Sequence, residues 1–232
     1  MRLTLRALAA LLGYPSAELH AHAGELRDAL AGGGALPRSE RRRLEPLLSR
    51  IESEELLDLQ SAYSELFDRS RSLSLHLFEH VHGDSRERGQ AMIDLGQQYM
   101  EGGFFLEASE LPDFVPVFLE YASCLSARDA REMLGQPAHV FAALAERLDK
   151  REAPYGAVFH ALVALAGVKP DAEALAEIDG NTPSQDPVEI DEEWEEAPVS
   201  FNLGGAHEMG GPTGFVAKVR ASNRAGNREA GQ

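Results

Sequence analysis

Cysteine is nearly missing from this chain, with Cys124 the only one. A lone thiol excludes an internal disulfide framework and a cysteine-rich zinc site. Its apolar surroundings predict an inert core thiol, since a reactive one needs an electropositive, accessible setting. A basic stripe is lacking too: 22 Lys and Arg stand against 38 Asp and Glu, for a formal net charge of −16. Without such a stripe the phosphates of a nucleic acid go unneutralised, so nucleic acid is excluded as a partner, whereas a basic peptide suits the balance. No run of ~18 apolar residues exists, so no stable membrane insertion is expected. No segment alternates with period two over a strand's length, which argues against a sheet. A Gly-rich phosphate loop, a Gly-x-Ser-x-Gly turn and a supported Cys–His pair are all missing, and with them the usual enzymatic signatures.

What is present is helix. The 232 residues, 44% hydrophobic and 26% charged, have the balance of a globular domain large enough to bury a core. Met1 to Leu12 has the outline of a signal peptide, but its apolar run is short and Gly13-Tyr14-Pro15 follows where a cleavage site would be wanted. Leu5, Leu8, Leu11 and Leu12 sit at helical spacing, so the segment reads as an amphipathic first helix of a cytoplasmic protein. Ser16 caps a helix from Ala17 to about Leu30, ended by Gly32-Gly33-Gly34. The basic cluster Arg38 and Arg41 to Arg43, a solvated face, precedes a helix holding Leu44, Leu47, Leu48 and Ile51. Ser53 opens the next, with Leu56, Leu59, Tyr63, Leu66 and Phe67 on one side. Ser85 caps another, with Met92, Leu95, Tyr99 and Met100 as its apolar positions. Four more follow, beginning at Pro112-Asp113, Ser126, Val140 and Tyr155. The expected fold is an all-α, single-domain helical bundle over 1–170.

From Asp171 the character changes. Asp171 to Pro198 is acidic without a Lys or Arg, and Gly204 onward is rich in Gly, Asn and Ala. Such composition buries too little apolar surface to offset its ordering entropy, so 171–232 is expected to be a flexible tail, disordered and with Trp194, Val199 and Phe201 exposed.

The stretch Leu73 to Gln90 is the densest in chemistry. His76, His80 and His82 fall among Leu73, Leu75, Leu77, Phe78 and Val81, beside Glu79. Titratable groups in an apolar run are costly unless each finds a partner. Two readings follow. His76-Leu-Phe-Glu79-His80 fits the His-x-x-Glu-His pattern of a zinc metallopeptidase, with two helical histidines as ligands and the glutamate as general base. It fixes only three positions, and His82, Glu110 or Asp113 would have to supply the third ligand. Otherwise the histidines are partly buried and hydrogen-bonded to carboxylates or carbonyls, with no metal. Gly83 and Gly89 are expected to serve a turn and a close helix contact.

Tyr63-Ser-Glu-Leu-Phe-Asp-Arg69, the stretch Leu73 to Met92, and Glu110-Leu-Pro-Asp-Phe-Val-Pro-Val-Phe-Leu-Glu-Tyr121 resemble the NarJ family of nitrate reductase assembly chaperones, within the TorD/DmsD/NarJ class. Leu11-Leu-Gly-Tyr-Pro15 and the acidic C-terminal extension are similar too, so the likeness covers most of 1–170. It implies an all-helical chaperone without catalytic activity that holds no cofactor stably. Such a protein binds the N-terminal leader and apo form of the respiratory nitrate reductase catalytic subunit. It keeps that subunit from its membrane anchor until molybdenum cofactor and iron–sulfur cluster are inserted, working with the molybdenum cofactor insertion machinery. The wider class carries Glu-x-x-Asp-His, and here Glu110 and Asp113 match while Phe114 replaces the histidine.

A leader folding as an amphipathic helix needs an apolar groove with charges at its edge. Tyr63, Phe67, Leu75, Phe78, Met92, Pro112 and Tyr121 are candidates for its walls. Glu79, Asp84, Glu110, Asp113 and Glu120 would meet basic residues of the peptide. His76, His80, His82, Arg86, Arg88 and Gln90 complete the candidate site, with Arg86 and Arg88 expected to pair with Asp84 and Glu87.

Overall fold

A computed structural model describes residues 1–32, 34–82, 86–107, 110–170 and 172–180. They belong to a unit spanning Met1–Ile190; the remaining unit, Asp191–Gln232, lies outside the described residues. The described chain is all-α. In order it forms α1 (Arg2–Leu12), α2 (Ala17–Ala21), α3 (Ala23–Gly32), α4 (Arg38–Ser53), α5 (Leu56–Phe67) and a 3-10 turn (Arg71–Leu73). There follow α6 (Leu77–Val81), α7 (Arg86–Glu101), α8 (Val115–Cys124), α9 (Ala127–Gly135), α10 (Ala138–Lys150), α11 (Gly156–Ala166) and α12 (Ala172–Gly180).

Two helix pairings build the core. Helix α1 packs along α8, and α10 packs along α11, which also touches α9 and α4. The leucine stripe of α1 explains its central place: Leu5, Leu8, Leu11 and Leu12 are all wholly buried. Rings join the second pair to the first, with Phe141 6.4 Å from Phe118 and 6.3 Å from Phe159 between centroids. A Cβ at Gly156 would lie 2.6 Å from Asp149 Oδ1, so a larger residue there would displace that carboxylate.

Several expectations meet a different outcome. Ser16 does cap, accepting from the Leu19 N–H at 3.1 Å, but the helix it starts breaks at His22, giving α2 and α3. Ser53 opens nothing. It is the last residue of α4, where its hydroxyl donates back to the Ser49 carbonyl, and α5 begins without a side-chain cap. Cys124 is exposed rather than buried, because it ends α8 one residue beyond the buried run Tyr121 to Ser123. Gly89 meets nothing within 4 Å and makes no close helix contact. Inside the segment read as a flexible tail, α12 packs on α10 with Ile178 buried, and Arg147 donates to the Ile178 carbonyl at 3.1 Å. The helical body thus runs past residue 170; Asp171 and 181–232, with Trp194, Val199 and Phe201, lie outside the described residues.

Candidate peptide-binding surface

The two stretches richest in chemistry are clamped together. An isolated antiparallel bridge pairs His76 with Phe114. Its hydrogen bonds run from the Leu77 N–H to the Asp113 carbonyl at 3.0 Å and from the Val115 N–H to the Leu75 carbonyl at 2.8 Å. Helix α6 starts at this bridge, so His76 is its N-terminal flanking residue and not part of the helix. The zinc reading's requirement of two helical histidines therefore fails at His76.

Asp113 is the centre of the clamp and fully buried. One carboxylate oxygen accepts from His76 Nδ1–H at 3.0 Å and the other from the Phe78 N–H at 3.2 Å. Together with its own carbonyl, Asp113 thus satisfies two of the free N–H groups that open α6, a capping role filled from 35 residues away in sequence. His80 turns elsewhere: its Nε2–H donates to the Ser74 carbonyl at 2.8 Å. Burial pushes its pKa below the ordinary histidine value, and Arg147 adds to that, against the Ser74 carbonyl, Glu79 and Asp113. The two histidines serve separate partners, a carboxylate and a carbonyl. Among the described residues no group of three His, Cys, Asp or Glu side chains is arranged to hold a metal ion. The arrangement gives the zinc reading no support.

Helix α7 hangs on this clamp by its two ends. Arg88 donates to Glu79 at 3.0 Å, in place of the expected pairing with Glu87. Near the other end Tyr99 is wholly buried, donating to the Pro112 carbonyl at 2.8 Å with its ring 4.4 Å from that of Tyr121. Tyr121 Oη reaches the Gln98 carbonyl at 3.3 Å, and both phenols are held protonated by burial. Gly103, at φ +76°, ends the helix in a left-handed turn that returns the Phe104 N–H to the Tyr99 carbonyl.

The nominated residues divide by exposure. Tyr63, Phe67, Leu75, Pro112, Asp113 and Tyr121 are buried and form core or clamp, not groove wall. Tyr63 donates to the Leu12 carbonyl at 2.8 Å and its ring meets Phe67 and Tyr155. His76, Phe78, Glu79, His80, His82, Arg88 and Met92 are half-buried along the α6–α7 edge; Gln90, Glu110 and Glu120 are exposed. Asp84 and the Arg86 side chain lie outside the described residues.

The surface also holds residues that sequence reasoning missed. Ile93, Met100, Phe105 and Leu111 are 64%, 57%, 77% and 47% exposed, two large apolar side chains on α7 and two in the segment between α7 and α8. Ile93 and Met100 are seven apart and so share a helix face. One signal was available: 92, 93, 95, 99 and 100 are too many apolar positions for a single buried stripe. Glu101, Glu107, Glu110 and Glu120, in the same stretch of chain or on α8, are exposed as well. The Glu120 carboxyl is raised above its ordinary value, first by lost hydration and then by Glu110, with Arg6 opposing.

Known proteins share this chain's sequence over most of its length. It is 43% identical over 192 residues to the nitrate reductase molybdenum cofactor assembly chaperone NarJ of Escherichia coli K12, covering 82% of this chain and 81% of that one. The probable chaperone NarW of the same strain is 44% identical over 147 residues, 63% of this chain and 64% of the relative. The probable NarJ of Bacillus subtilis is 28% identical over 163 residues, 70% and 88% of the two chains. Residues 15–161 match the nitrate reductase delta subunit family, a span that takes in both halves of the clamp and all of α7. The chain belongs to that family.

Proposed function

We propose that this protein is a non-catalytic assembly chaperone for a respiratory nitrate reductase, receiving the N-terminal leader of the apo catalytic subunit on the α7 edge. In this reading it acts in the cytoplasm, holds no cofactor stably, and retains the subunit until molybdenum cofactor and iron–sulfur cluster are in place and membrane attachment can follow. The relatives named above are assembly chaperones of nitrate reductase molybdenum cofactor, which supports the coarse role. The observation that carries the site is the exposure of Ile93, Met100, Phe105 and Leu111 in a segment that also exposes Glu101, Glu107 and Glu110. Apolar surface of this kind is costly to leave in water unless something covers it. The exposed acids suit an amphipathic helix with basic residues.

Calorimetric titration with the leader peptide, at low and high salt, tests the proposal. Ile93→Asp with Phe105→Asp should weaken binding at least about tenfold, which is ~1.4 kcal/mol. The melting temperature should hardly move, since both side chains already face solvent. Unmodified protein that gives no heat with the peptide would end the reading. An affinity indifferent to salt would remove only its electrostatic part.

A further inference from the structure

The basic cluster read from sequence as a solvated face lines a cavity. Between α3 and the first half of α4 lies a cleft of about 190 Å³ whose walls include Arg27, Leu30, Arg38, Arg41, Arg42 and Glu45. Residues 38, 41 and 42 are spaced three and four apart, so their guanidinium groups share one helix face. Like charges at that spacing repel, and cations in the opening turn of a helix oppose its dipole. The arrangement is therefore doubly unfavourable to α4, in a chain whose net charge is −16.

Nearby carboxylates do not resolve it. Arg27 takes Glu45 at 3.1 Å and also Glu52, and Glu40 lies 4.0 Å from Arg43. Arg41 has one bond to the Ala31 carbonyl at 3.3 Å, and its buried Nε has no acceptor among the described residues. Arg38 and Arg42 are exposed. Local charges that weaken their own helix without being neutralised are expected at sites of function.

We infer that the cleft between α3 and α4 is an anion site for the phosphate group of a small phosphate ester, with Arg38, Arg41 and Arg42 as its donors. Guanidinium groups match phosphate oxygens in pairs, which favours this anion over a point-charge contact. The volume admits a phosphate or pyrophosphate but not a peptide helix, whose diameter with side chains is ~10 Å. The inference does not depend on the leader-binding surface, which lies on other helices.

Inorganic pyrophosphate is the probe, titrated into full-length protein and followed by arginine Nε–Hε resonances. Saturable one-to-one binding is expected, at least about tenfold weaker in Arg38→Gln/Arg41→Gln/Arg42→Gln, with leader-peptide affinity unchanged. Melting temperature of an Arg38→Gln/Arg42→Gln variant, which keeps the Arg41 bond to the Ala31 carbonyl, should hold or rise, because repulsion within α4 is relieved. A lower melting temperature would mean the charges are paired within the fold, and would overturn the inference. So would shifts that never saturate, equal binding by the triple variant, or a hexaglutamate peptide that outcompetes pyrophosphate.

Discussion

Helices α7 and α11 are both longer than ten residues, yet water reaches them very differently. In α11, Gly156 to Phe159, Ala161, Leu162, Leu165 and Ala166 are buried, so its identity is almost wholly a matter of packing. In α7, Tyr99 is the single buried side chain among those described. Helix α11 is fastened along its length, whereas α7 is pinned near its ends by Arg88 and Tyr99. A helix held at two points can keep an apolar face open without loosening the core beneath it. Elements of this kind are drawn from the low-stability end of a fold.

The comparison is broken most severely at α11. Phe159→Ala should cost about 3–5 kcal/mol, because the ring is fully buried and packs against Phe141, so its removal leaves a cavity in the core. Denaturant unfolding would read this as a global loss. Ile93→Ala on α7 should stay within about 0.5 kcal/mol. Similar losses from both would show that α7 packs as tightly as α11 and has no face to spare.

Between these extremes lies Asp113→Ala. It strands the His76 ring N–H and the Phe78 N–H that the carboxylate now accepts, for about 2–3 kcal/mol. The effect should be local before it is global: hydrogen exchange should quicken at Phe78 and through α6 while Phe159 stays protected. Uniform acceleration across α6 and α11 would mean that clamp and core open together.

How much of this was legible depends on the range of the interaction. The stripe Leu5, Leu8, Leu11 and Leu12 declares α1 because helical spacing is local, and it is buried as read. The need of the histidines for carboxylate or carbonyl partners was legible too, since an apolar run cannot leave them unpaired. Which partners they take was not. Asp113 reaches Phe78 only because a two-residue bridge folds distant segments together, and no pattern within α6 announces it. Tyr63 and Phe67 illustrate the opposite failure: aromatic residues suit a groove wall and a core equally, and only the Leu12 carbonyl and Tyr155 decide. Met100 counts as an apolar position of the same helix as Tyr99, yet only Tyr99 is buried, because α7 is covered on one narrow side and successive residues point about 100° apart.

The smallest expected effect concerns His80, whose ring donates to the Ser74 carbonyl. Its folded pKa lies below the ordinary 6.5, chiefly because burial disfavours the imidazolium. The unfolded chain therefore takes up the proton first as pH falls. Between the two values the unfolded state binds more protons, so stability rises with pH there. The contribution of neutral His80 is complete above pH 6.5 and is lost as pH falls through that value toward the folded pKa. His80→Gln replaces the titrating ring with an amide that can still donate to the Ser74 carbonyl. Melting curves at about pH 7.5 and about pH 5.5 should thus show a smaller acid-induced drop in the variant than in the unmodified protein. Identical drops would assign the acid sensitivity to other groups, and would leave His80 a packing residue whose protonation the clamp does not feel.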